Sequence, residues 1–250
     1  MQKELAFRVR GREVSRVEAF SDVVFGFALT LIVVSLEVPK TFAELMSEMR
    51  GFVAFAICFA MLTWIWHVHH TFFRRYAMTD EITIALNTVL LFLVLFYIYP
   101  LKFMFELVTG DVRDVTHANG VTLFLIYGLG FVGIFLIFCL MHVHAWMRRE
   151  ELELNAVERH DTITALVMYS SYIVVGLLSV VLAVGGISLG WAGWSYFLLG
   201  PVSAVIGYTR GSKRGRVGEV MLATDPMSAM PREDRIAGTA TQSPASPTSA

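Results

Sequence analysis

Apolar residues run along this chain in long unbroken blocks rather than in alternation. The first block lies in residues 16–39, RVEAFSDVVFGFALTLIVVSLEVP, opened by a capping-box pattern in which Ser15 precedes Glu18 by three positions and closed by Pro39. Five more blocks follow at 51–73, 82–105, 121–146, 163–184 and 189–208. Each approaches the twenty or so residues that an α-helix needs to cross a bilayer core. Strand-like alternation is absent, and in lipid only helices or closed barrels satisfy their backbone groups. The pattern predicts an all-α integral membrane protein with six transmembrane helices per subunit, joined by short connections.

Composition agrees. Hydrophobic residues make up 56% of the 250, charged residues 16%, and the mean hydropathy is +0.61, outside the range of an ordinary soluble domain. The net charge of -1 hides an asymmetry. One side of the expected bundle carries Lys3, Arg8, Arg10, Arg12 and Arg16, then Arg74 and Arg75, then Arg148, Arg149 and Arg159, then Arg210, Lys213, Arg214 and Arg216. The other side carries Lys40, Arg50, Lys102 and Arg113 together with the acids Glu44, Glu48, Asp111 and Asp114. By the positive-inside rule both termini of this multi-pass chain are expected in the cytoplasm. Residues 1–14 are then a basic cytoplasmic N-terminus, residues 15–210 the membrane domain, and residues 211–250, ending TATQSPASPTSA, a cytoplasmic and largely disordered tail. No apolar core of a cleavable leader is present near the start, so the start is expected to be retained.

Several motifs carry less chemistry than they suggest. Residues 128–133, GLGFVG, match the spacing of a dinucleotide-binding loop but sit inside a membrane block, where small residues serve close helix packing. The histidines cluster at His67, His69 and His70 and at His142 and His144. Only His67 and His70 have the spacing that puts two metal ligands on one helix face, and no cysteine or acid adjoins them, so interfacial or hydrogen-bonded roles are expected and no metal site is assigned. Cys58 and Cys139 lie in apolar blocks, where a thiol acts as a small hydrophobe. No nucleophile-base pair, phosphate loop or pair of inward carboxylates emerges, so no enzyme, cofactor or nucleic-acid partner is expected.

The first block is the unusual one. At 100° per residue Phe20, Phe27 and Val34 follow one another in steps of about 20°, with Thr30 and Leu31 flanking them. Ser21 and Asp22 point elsewhere, Asp22 about 140° from Phe27. An intramembrane carboxylate such as Asp22 is costly and marks a paired or functional position. The uncharged stripe suits lipid, helix packing or a hydrophobic pore constriction.

The opening of this block, Arg16-Val-Glu-Ala-Phe20-Ser21-Asp22, resembles the signature of the transmembrane protein 175 family of potassium channels. Trp66, His69 and Phe73 resemble that family's second-helix pattern, and Asn87 and Pro100 suit its third helix. The resemblance covers about residues 15–210. It implies a prokaryotic six-span form that assembles as a homotetramer around a pore lined by the first helix, with potassium as the permeant ion and no carbonyl filter. It also implies constrictions at Phe27, Thr30 or Leu31, and Val34, the stripe already isolated by periodicity. Where family members carry an aliphatic residue at the first constriction this chain has Phe27, preceded by Gly26. Arg16, Phe20, Ser21, Asp22, Trp66, His69 and Phe73 are expected to anchor the pore helix, with Arg16, Ser21 and Asp22 off the pore axis and bonded to Trp66 and His69. Two other functions fit the composition: a proton- or metal-coupled secondary transporter using the histidine clusters, and a membrane scaffold whose basic face recruits anionic lipid.

Overall fold

A computed structural model describes residues 7–34, 40–109, 117–186 and 189–224. Among them all regular secondary structure is helical: α1 (Arg16–Val34), α2 (Phe42–Tyr76), α3 (Glu81–Thr109), α4 (His117–Met147), α5 (Ala156–Val184), α6 (Leu189–Trp194) and α7 (Leu199–Thr224), with a 3-10 turn at Ser195–Leu198 between the last two. Five stretches are long and apolar enough to cross a membrane: α1, Glu81–Phe103, Asn119–Met147, α5 and Leu189–Met221. The sixth expected stretch, residues 51–73, lies within α2. Pro39, Asp111, Arg113, Asp114, Lys3 and residues 225–250 of the expected tail fall outside the described residues.

Helix boundaries depart from the apolar blocks where local chemistry extends the helix. α5 begins seven positions before its block because Asn155 caps it: the Asn155 side chain accepts from the Glu158 amide at 2.9 Å, and the Glu158 carboxylate accepts from the Asn155 amide at 3.0 Å. The last block is broken because Pro201 has no amide hydrogen and its ring crowds the carbonyl four residues earlier, at Phe197, within the 3-10 turn. Helix α7 then runs on to Thr224, so residues 211–224, expected to open the tail, are helical instead. Arg214 Nε donates to both Asp161 oxygens at 2.8 and 3.0 Å, and Tyr172 shares a hydrogen bond of 3.0 Å with Ser203, which holds α7 antiparallel to α5. Hydropathy marks where lipid ends, not where the backbone stops being helical.

The core lies between α3, α4 and α5, with α2 and α7 against its flanks and α1 on α2 and α3. The GLGFVG motif is a packing device. A Cβ on Gly130 would stand 2.5 Å from the Tyr97 ring of α3, one on Gly128 would stand 2.5 Å from Val180 of α5, and on α5 a Cβ at Gly176 would meet Val132 at 2.7 Å. Absent side chains let the helices approach, and small residues do the same work in membrane interfaces generally.

One end of the bundle is locked by charge. Residues 7–14, the described part of the expected basic N-terminus, cross over the helix ends. Arg10 and Gly11 donate their amides to the Arg74 carbonyl at 3.0 and 3.1 Å. Gly11 lies so close to α2 that a Cβ there would meet the Phe73 carbonyl oxygen at 2.9 Å. Arg8 and Arg10 each bring a guanidinium nitrogen to 2.8 Å from the fully buried Glu158. Nearby, Asp80 in the α2–α3 turn accepts from His144 at 2.8 Å and pairs with Arg148 at 2.9 Å, tying the turn to the end of α4. Partial burial pushes the Asp80 carboxyl up, but the Thr83 hydroxyl and His144 outweigh it and hold the group at about 2.

Replacing Gly130 with isoleucine should lower stability by about 1–3 kcal/mol, since Tyr97 is locked in the core and cannot retreat. Thermal unfolding of the detergent-solubilised protein would register the loss; an unchanged melting temperature would mean that α3 and α4 do not pack as described.

Candidate functional site

Helix α1 has two faces, and they differ completely in what they touch. Phe25 is 2% exposed, and Ala28, Ile32 and Ser21 are fully buried, all facing α2 and α3. On the opposite side Phe20, Phe27 and Val34 are 61%, 65% and 72% exposed, Leu31 is 40% exposed, and Thr30 is exposed with them. An apolar stripe of one helical face is thus left bare by its own chain.

Polar side chains hold the buried face. Asn87 of α3 is the hub: its amide nitrogen donates to Ser21 Oγ at 2.9 Å, and its amide oxygen lies 2.8 Å from His69 Nε2. Ser21 in turn donates to the Val17 carbonyl at 2.7 Å. The directions agree if His69 carries its proton on Nε2, so a neutral imidazole completes the chain without a buried charge. His69 is wedged between Phe73 and Phe25, with ring centroids 4.7 and 5.4 Å away. Beside this chain Trp66 Nε1 donates to Asp22 Oδ1 at 2.7 Å. Three helices therefore meet through two short hydrogen-bonded links at the start of α1.

A further contact lies one turn below. Ser15 Oγ accepts from the Glu18 amide at 3.2 Å, the first half of the expected capping box. The Glu18 carboxylate does not return the bond to Ser15; it reaches His70 Nδ1 at 3.2 Å, and the His70 ring stacks on Trp66 at 5.4 Å. The sequence reads Glu18 as a cap and His70 as one of a histidine cluster, and it pairs neither with the other. Their signal was the Ser15–Glu18 pattern itself, which hydropathy and capping explain equally well without a tertiary partner.

The expected anchoring set divides. Ser21, Asp22, Trp66, His69 and Phe73 come together on the buried side of α1. Arg16 and Phe20 do not: both are exposed on the same side as the Phe27 stripe, and among the described residues no side-chain partner of Arg16 is recorded. The reason is geometric, because Arg16 precedes Phe27 by eleven positions, a whole number of turns to within about 20°. Ser21 and Asp22 also do not bond to His69 directly; Asn87 stands between Ser21 and His69, and Asp22 is held by Trp66. The second histidine cluster is held separately, His142 by the Phe138 carbonyl at 2.8 Å and His144 by Asp80. Among the described residues no three metal-ligating side chains converge.

This arrangement has close relatives. A family model described as the endosomal/lysosomal potassium channel TMEM175 matches residues 16–97, the segment that holds the motif, Trp66, His69 and Asn87. A curated potassium channel of Marivirga tractuosa is 36% identical over 230 residues, which cover 84% of this chain and 93% of that one. The chain belongs to the TMEM175 potassium-channel family. A second potassium channel, of Chamaesiphon minutus, is 35% identical over 102 residues, 38% of this chain and 50% of its own. Among solved structures, a variant of the potassium channel MtTMEM175, crystallised with a nanobody fusion, superposes with a TM-score of 0.72 at 36% identity, covering 82% of this chain and 97% of that one. The lysosomal potassium-selective TMEM175 homologue of Chamaesiphon minutus superposes with a TM-score of 0.56 at 26% identity, covering 76% and 95%. The matched segment thus includes α1, the helix with one buried and one bare face.

Replacing Asn87 with leucine would orphan His69 Nε2 in a dry environment and leave Ser21 Oγ only its bond to the Val17 carbonyl, at a cost of about 1–3 kcal/mol. The expected result is a lower melting temperature for Asn87→Leu than for Thr88→Leu, whose exposed hydroxyl bonds only within its own helix. Equal melting temperatures would remove Asn87 from its place as the hub.

Proposed function

We propose that this chain conducts potassium passively as a homotetramer in the plasma membrane, with both termini cytoplasmic and the bare face of α1 lining the pore. The observation that carries the proposal is the exposure of Phe27, Thr30, Leu31 and Val34 on one face while the opposite face is buried and pinned. Four copies of that stripe around an axis would form three stacked rings. The rings of Phe27 and Val34 present no polar group, so ions cross them only when water does, and conduction there is governed by width and wetting. The family gives the ion: potassium, with no enzymatic step and no cofactor.

Thr30 supplies the one polar ring. Its hydroxyl donates to the Gly26 carbonyl at 2.9 Å within α1. With the proton so used, the oxygen turns its lone pairs outward, which suits a partly dehydrated cation and not an anion. Selection would then rest on pore width and on these oxygens rather than on a cage of backbone carbonyls. Four of the five clustered histidines speak against a coupled transporter, since His69, His70, His142 and His144 each hold a structural partner; His67 is exposed.

Potassium flux into proteoliposomes tests the proposal. Flux should follow the potassium gradient alone and persist when any proton gradient is collapsed. Phe27→Ala should raise it severalfold by widening the bulkiest ring. Thr30→Ala should lower preference for potassium over sodium by about fivefold to tenfold, as expected for removal of an interaction of about 1 kcal/mol. Absence of flux from intact protein under every gradient, or flux that is indifferent to both substitutions, would overturn it.

A further inference from the structure

Away from α1, a groove of about 600 Å³ opens between the start of α5 and the end of α7, the size of a small-ligand site. Arg214 with Asp161 and Tyr172 with Ser203 set the two helices antiparallel, and this register brings Arg216 opposite Arg159 at the membrane side of the groove. Its apolar part lies beyond the arginines, farther from the bilayer. Buried Leu154 and Met221 form the floor there, half-buried Val217 and exposed Val220 the wall. Among the described residues no acid lines the groove. Asp161 is taken by Arg214 and Glu158 by Arg8 and Arg10, and among the described residues neither Arg159 nor Arg216 has a carboxylate within ion-pair distance. Arg159 spends its Nε on the Leu154 carbonyl at 2.9 Å, which fixes the guanidinium and leaves its other donors unspent. Asn155, between the charged and apolar parts, accepts from the Glu158 amide through its side-chain oxygen and keeps its amide nitrogen unspent.

We propose that this groove binds a nucleoside monophosphate from the aqueous phase. The phosphate would bridge Arg159 and Arg216, and its charge of about −2 would offset their repulsion through the forked geometry that guanidinium offers a phosphate. The base would cover Val217 and Val220, with the Asn155 amide nitrogen donating to a ring nitrogen at its edge. The order of chemistry along the groove selects a soluble ligand, because a phospholipid seated on the arginines would have to direct its acyl chains away from the membrane. Inorganic phosphate would satisfy the arginines and leave the apolar wall wet, and a sugar phosphate would press hydroxyls against that wall without hydrogen-bond partners. Length fits as well. Eight residues separate Arg216 from Thr224 at the far end of the groove, about 12 Å of helix, which gives room for one nucleotide. The proposed orientation turns this end of the bundle toward the cytoplasm, where nucleotides are found.

Isothermal titration calorimetry of the full chain in detergent, with adenosine 5′-monophosphate, adenosine and inorganic phosphate as probes, tests this. The monophosphate should bind at least tenfold more tightly than either of the others. Arg216→Gln should weaken it about tenfold, the loss of one charge-assisted pair, and Arg159→Gln should act in the same direction. Val220→Ser should weaken the monophosphate severalfold and leave inorganic phosphate unchanged. Arg216 and Val220 are exposed, so both variants should keep the melting temperature of the parent. No binding of the monophosphate, binding no tighter than that of inorganic phosphate, or affinity indifferent to both arginine substitutions would overturn the proposal. So would binding that appears only after residues 225–250 are removed, since that would make the tail the occupant.

Discussion

Everything distinctive about this protein follows from the hydrogen-bonded chain that runs from His69 through Asn87 to Ser21. In a bilayer core there is no water to compensate an unpaired polar group, so three helices that share such a chain can be separated only at a cost that includes its orphaned ends. Asp22 adds to this on the same helix: a carboxylate tolerable at that depth because the Trp66 indole donates to it at 2.7 Å. Together these links fix α1 in rotation. A helix held only by apolar contacts could turn by tens of degrees with little change in buried area, and then no particular stripe would be presented.

Rotation matters because the bare face is chemically plain. Phe27, Leu31 and Val34 offer no specific contact of their own, and Thr30 offers one oxygen. A pore built from such residues depends on where they point and how wide a ring they make, so the precision has to come from behind. This separates the roles that the motif at first merges. Ser21 and Asp22 hold the helix, while Phe20 and Arg16, only a few residues away in sequence, lie on the side that faces outward from the chain.

Much of this was legible in the sequence. Apolar blocks located the helices, and a 100° wheel separated Ser21 and Asp22 from the Phe27 stripe. What the sequence could not supply was tertiary pairing. Asn87 stood out as an intramembrane amide, but nothing local says that it bridges Ser21 and His69 across three helices. Glu18 read as a cap and is instead a partner of His70. Arg16 was grouped with its motif neighbours although its helical position puts it on the other face. The continuation of α7 to Thr224 was hidden because a basic, glycine-containing run looks like the end of a span, whereas Arg214 ties it to Asp161 of α5. The docking of residues 7–14 was hidden because nothing local in a basic N-terminus says that Arg8 and Arg10 meet a buried Glu158 some 150 positions later.

The central claim, that the bare face of α1 meets the ion, is tested most directly by thiol accessibility in a background where Cys58 and Cys139 are replaced by alanine. In that background a reporter at Thr30→Cys should let a permeant-sized thiol reagent abolish potassium flux, and prior potassium loading should slow the block. A reporter at Phe92→Cys, exposed on α3, should leave flux untouched when modified. Block through position 92 with none through position 30 would place the ion path on another helix and contradict the account.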